Sequence, residues 1–93
     1  MKKMETEKAL SEFVIQMEDT LQKHSGEKGD SWNDCDMQFL IDKLEEEIKE
    51  YRDETKPLAK AEELVDVANM CMMLYHRYMD IWVDKVSEFV KTQ

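Results

Sequence analysis

Apolar residues recur along this chain at helical spacing, in three blocks. Leu10, Phe13, Val14, Met17 and Leu21 follow i, i+3, i+4, i+7, i+11, a narrow seam that predicts a first helix over residues 5–24. Ser25-Gly26 is its expected end and Lys28-Gly29-Asp30-Ser31 the expected loop, because glycine accepts the left-handed geometry of a helix terminus. Met37, Leu40, Ile41, Leu44, Ile48 and Tyr51 predict a second helix over 34–54, with Ser31 or Asp34 as its N-cap. Pro57 breaks that pattern and marks the first turn of a third helix, the position where a missing N–H is tolerated. Between Ala59 and Val90 there is no Gly or Pro. Either one long helix runs through, or a break near Asp80 leaves a short fourth helix with Val86, Phe89 and Val90, and the break is the reading favoured here. Strand-like alternation, repeats and low-complexity segments are absent from the sequence. The expected fold is therefore all-α, a bundle of three to four helices forming a single domain over 1–93.

On a helical wheel the third block carries a broad apolar arc that includes Leu64, Val67, Cys71, Leu74, Tyr78 and Trp82, the mark of a helix largely buried in a bundle. Its polar arc holds Glu62, Glu63, Asp66, Asn69, His76, Arg77 and Asp80. Met70 and Met73 fall inside that polar arc, and Phe39 falls on the acidic side of the second helix. Apolar groups in such places predict that the acidic faces are covered by another helix or another subunit. A chain of 93 residues also has little core for its surface. Packing into a homo-oligomer, a dimer or a tetramer, is the expectation.

Charge narrows the partners. The chain has 22 acidic and 13 basic residues, a formal charge of -9, which opposes direct nucleic-acid binding because phosphate backbones are held by clustered Lys and Arg. Apolar runs are interrupted by charge well short of a membrane span. Cys35 and Cys71 lack CxxC spacing, and Met1-Lys2-Lys3-Met4 opens no secretory signal, so reduced thiols in a cytoplasmic protein are expected, both as small buried apolar residues.

Candidate chemistry lies in two acidic clusters, Glu46-Glu47-Ile48-Lys49-Glu50 and Glu63-Leu64-Val65-Asp66. The i,i+3 pairs Glu47/Glu50 and Glu63/Asp66 each place two carboxylates on one side of a helix. If the two helices pack side by side, four carboxylates converge and repel one another unless a hard divalent cation such as Mg²⁺ joins them through oxygen. The plain alternative is a solvated stripe, since Glu/Lys-rich helices such as this one, with its Glu45/Lys49 i,i+4 pair, usually face water. What sets the clusters apart is their pairing on successive helices.

Four further residues have two readings each. Arg77 lies on the arc of Asp66, three turns on, where it can bind a phosphate oxygen or pair with Asp80. Lys28 can steer phosphate from a loop or simply be solvated. Trp32 can stack on a base or cap the bundle end, and Asn69 can read a sugar hydroxyl or base edge or stand exposed on the polar arc. His24 and His76 have no Glu three residues before them, which argues against a carboxylate-bridged di-iron bundle.

The run Leu44-x-Glu46-Glu47-x-x-Glu50, twelve residues, then Glu63-x-x-Asp66 resembles the EExxE and ExxD signature of the MazG-like all-α nucleoside triphosphate pyrophosphohydrolases, relatives of the dimeric dUTPases. Gln22-Lys23-His24 through Lys28-Gly29-Asp30-Ser31-Trp32 is similar to the helix end, basic residue and tryptophan loop before the first acidic motif in the short stand-alone members. The likeness covers about residues 10–80. It implies hydrolysis of a nucleoside triphosphate to the monophosphate and pyrophosphate. Mg²⁺, with Mn²⁺ as a substitute, is the implied cofactor, held by Glu47, Glu50, Glu63 and Asp66, with Glu46 beside them as an outer carboxylate or base. Towards its end the chain departs from the family, because Lys85 to Gln93 lack the basic and Asn pattern that contacts phosphates and base in many members. The competing class is a non-catalytic helical interaction module whose acidic stripes are solubilising surface.

Overall fold

The computed structural model describes residues 3–28 and 31–91, with side chains placed for 4–23 and 32–90. Among the described residues there are helices and no strands: α1 Lys3–Lys28, a single 3₁₀ turn Ser31–Asn33, α2 Met37–Asp53 and α3 Pro57–Lys91.

The boundaries differ from the sequence expectations at three places. α1 does not stop at residue 24 but continues through Ser25 and Gly26 to Lys28. A glycine inside a helix costs about 1 kcal/mol relative to alanine and does not by itself end it. α2 begins at Met37, with neither Ser31 nor Asp34 as its cap. Asp36 caps it instead, in an extended conformation (φ -60°, ψ 134°), its carboxylate accepting the Gln38 N–H at 3.3 Å. The third correction is the break near Asp80, which does not occur: α3 is one helix of 35 residues. No residue there lacks an N–H donor or requires a left-handed backbone, so propagation continues.

α2 and α3 form an αα-hairpin, the main packing unit of the chain. The Glu54 carboxylate accepts the N–H groups of Thr55 (3.0 Å) and Lys56 (3.3 Å), turning the chain just before Pro57. Lys60 closes the turn from the other side, donating to the Tyr51 carbonyl at 3.0 Å with its ammonium 4.5 Å from the Tyr51 ring centroid. Leu40, Val65 and Leu74 make up the buried apolar core, Leu40 being 2% exposed. α1 lies against α3 less extensively, and Asn69 Nδ2 donates to the Met17 carbonyl between them at 3.3 Å.

Length sets what this core can cover. α2, with 17 residues, is about 25 Å long and α3, with 35, about 52 Å, so the hairpin partner shields only half of α3. The molecule is accordingly elongated, 55 × 35 × 25 Å, with a radius of gyration of 16.4 Å against about 12 Å for a compact domain of this length. The broad apolar arc of α3, expected to be buried, is open in the single chain over its distal half, where Trp82 is 60% and Phe89 62% exposed. Cys71 is exposed and Cys35 half-buried, so the expectation of two buried thiols fails. Among the described residues no helix is long and apolar enough to cross a membrane.

Candidate functional site

The tight turn at 54–56 sets the register of the hairpin, bringing Glu50 on α2 opposite Glu63 on α3 and Glu47 one turn deeper. One carboxylate oxygen from each of Glu47, Glu50 and Glu63 lies within 4.8 Å of the other two. Oε2 of Glu47 and Oε2 of Glu63 are both shut off from solvent, and neither has a hydrogen-bond partner. Buried acceptors without donors are costly, and here they face other acceptors.

The electrostatics follow from that crowding. Burial first, then close side-chain contact with Glu50, then the negative charges of Glu50, Asp66 and Glu63 push the Glu47 carboxyl up to about 7. Glu63 is also raised, by burial first and then by the charges of Glu50 and Asp66. Without a cation the crowding favours a protonated Glu47 carboxyl. Asp66 stands outside the tight trio yet close enough to raise both of its half-buried members. Glu54 adds to the field on Glu63, a contribution the motif reading passed over. Its signal was present as i,i+4 spacing from Glu50, which puts the two on one helix side.

The remaining candidates are distributed as follows. Glu46 is outside the trio, its side chain 56% exposed and paired with Lys43 at 3.4 Å. The Glu45/Lys49 pair is absent from the ion pairs of the described residues. Trp32 is half-buried in the 3₁₀ turn, and its carbonyl accepts from Cys35 Sγ at 3.7 Å. Among the described residues Arg77 forms no ion pair with Asp80. Its Nη1 donates to the carbonyls of Trp32 (2.9 Å) and Cys35 (2.7 Å), tying the connection between α1 and α2 onto α3. Asn69 is 4% exposed rather than on an open polar face; its Nδ2 serves α1, and its Oδ1 is buried without a partner. The Lys28 side chain, named above as a phosphate contact, lies outside the described residues.

Comparison with protein-family models, with curated proteins and with solved structures finds no match to this chain.

Proposed function

We propose that the chain is a Mg²⁺-dependent nucleoside triphosphate pyrophosphohydrolase, releasing a nucleoside monophosphate and pyrophosphate, and that it works as a dimer or tetramer. The observation carrying this reading is the meeting of Glu47, Glu50 and Glu63 oxygens within 4.8 Å across two helices, two of those carboxylates having a buried oxygen without a donor. The donor set fits a hard cation, being all oxygen, anionic and short of positive partners.

Glu47, Glu50 and Glu63 supply the oxygens, and Asp66 adds negative charge from the next turn of α3. Mg²⁺ bound there supplies Lewis acidity towards phosphate oxygens and lowers the pKa of a coordinated water. Glu46, exposed and beside Glu47 in sequence, is the carboxylate available as proton acceptor, provided its ion pair with Lys43 opens. Trp32 offers a flat face for a base and Lys28 a positive charge for phosphate. Asn69 and Arg77 act on substrate through the α1–α3 contact and the Trp32 turn that they hold.

A turnover screen over nucleoside triphosphates with Mg²⁺, reading pyrophosphate against orthophosphate, tests the activity. Glu63→Gln, which removes an oxygen of the trio, is expected to lower pyrophosphate release by about 100-fold or more, and Asp66→Asn, which removes the neighbouring charge, by about 10-fold or more, while the helical circular dichroism is kept. Turnover that survives in both variants overturns the assignment. A second reading, a non-catalytic acidic interaction module, is favoured by the bare apolar residues of α1 and α3, and it expects no turnover with any triphosphate.

A further inference from the structure

We infer that Arg77 is a positioning residue for the nucleoside end of the substrate, acting through the Trp32 turn, and not a phosphate ligand. The inference rests on the hydrolase reading of the preceding section and assigns, within it, the part of the nucleotide that this residue serves.

One nitrogen of Arg77 is committed to the backbone. Nη1 carries two N–H groups and meets two acceptors, the Trp32 carbonyl at 2.9 Å and the Cys35 carbonyl at 2.7 Å. The Trp32 carbonyl also accepts from Cys35 Sγ at 3.7 Å, so residues 32 and 35 are drawn together where α3 takes hold of them. Bonds this short from a charged donor are the strong kind, and the planar guanidinium fixes their direction. Ser31–Asn33 is a three-residue 3₁₀ turn, too short to hold its own geometry, and it packs on α3.

Position along α3 separates this clamp from the carboxylates. At 1.5 Å per residue, Arg77 stands about 21 Å beyond Glu63 and about 16 Å beyond Asp66 on one unbroken helix. That is farther than an arginine side chain extends, so a phosphate oxygen bound to a cation at the trio is outside its reach. Trp32, by contrast, is bonded directly to Arg77 and is only half-buried, which leaves part of its surface for a base. Because the α3 carboxylates and the clamp share a single helix, the turn is held at a set distance from the phosphate end of the site. A base-stacking group fixed in this way binds ground state and transition state alike. Its loss raises KM and spares kcat.

Trp32 and Trp82 are the two tryptophans of the chain, so replacing the exposed Trp82 by Phe leaves Trp32 as the single fluorescent reporter. In that parent, Arg77→Met keeps an unbranched side chain and removes the donors. It is expected to lower the fluorescence anisotropy of Trp32 and to raise KM about 10-fold or more for whichever of dATP, dCTP, dGTP and dUTP is turned over fastest, with kcat within about 3-fold. The inhibition constant of inorganic tripolyphosphate, which has phosphates and no base, is expected to stay within about 2-fold. Arg77→Lys restores a charged donor and is expected to fall between parent and Arg77→Met. Asp80→Asn is expected to match the parent, since Arg77 forms no ion pair with Asp80 among the described residues. An equal loss of tripolyphosphate affinity in Arg77→Met means direct phosphate contact and overturns the inference. A lower melting temperature with Trp32 anisotropy and KM unchanged is the result of a purely structural clamp, and it overturns the inference too. Absence of turnover in the wild type overturns the hydrolase reading and the inference with it, whereas turnover with the wrong split between KM and kcat overturns the inference alone.

Discussion

Glu47 is the residue whose state depends most on its neighbours. Its carboxyl titrates near 7 in the folded chain against 4.5 as an ordinary side chain, so ionising it works against the fold. A raised carboxyl of this kind leaves stability intact below about 4.5 and removes it as pH rises through 7, the folded state binding the extra proton over that window. Glu47→Gln is therefore expected to raise the melting temperature of the metal-free protein at pH 8 and to change it little at pH 4.5. A variant that melts below wild type at pH 8 would count against the crowding described for this side chain. At the same scale, the motif reading identified the carboxylates of the trio but not the work of Arg77 and Asn69. Spacing gives the side of a helix on which a residue lies; it does not say that a carbonyl of residue 32 or 17 will stand within reach of it.

At the scale of elements, three helices were legible because apolar spacing and Pro57 are local signals. The errors fell at termini, where the competing conformations differ by little. Ser25-Gly26 looks like a helix end, yet α1 holds Gly26 in its last turns. Gly26→Ala tests this directly: alanine in a helical backbone is expected to add about 1 kcal/mol of stability and raise the melting temperature, whereas at a left-handed terminus it would lower it. The unbroken α3 matters more than a boundary, since it places Val86, Phe89 and Val90 on the same helix as Tyr75 and Trp82, all of them solvent-exposed.

The whole molecule combines excess negative charge with too little burial. Any salt screens a net charge of -9, whereas the proposed Mg²⁺ site at the glutamate trio predicts a divalent-cation effect beyond ionic strength. At pH 8 and equal ionic strength, MgCl₂ is expected to raise the melting temperature more than NaCl does. That excess should vanish in Glu47→Gln and Glu63→Gln and persist in Glu45→Gln; an equal excess in all of them would mean general screening rather than a site. The amino-acid sequence by itself determined the all-α class, the three helical blocks, the acidity and the two carboxylate pairs, because each is expressed within about four residues of chain and needs no partner to be read. Only the tertiary structure decided that Glu47, Glu50 and Glu63 meet while Asp66 stands back and Glu46 turns to Lys43. It also decided that Asn69 and Arg77 hold the scaffold and that half of α3 stands uncovered. The physical reason is the same in each case: these facts depend on how far apart two helices lie, in what register and over what length, and those are set by the hairpin turn and the unequal helix lengths rather than by the pattern along any one helix.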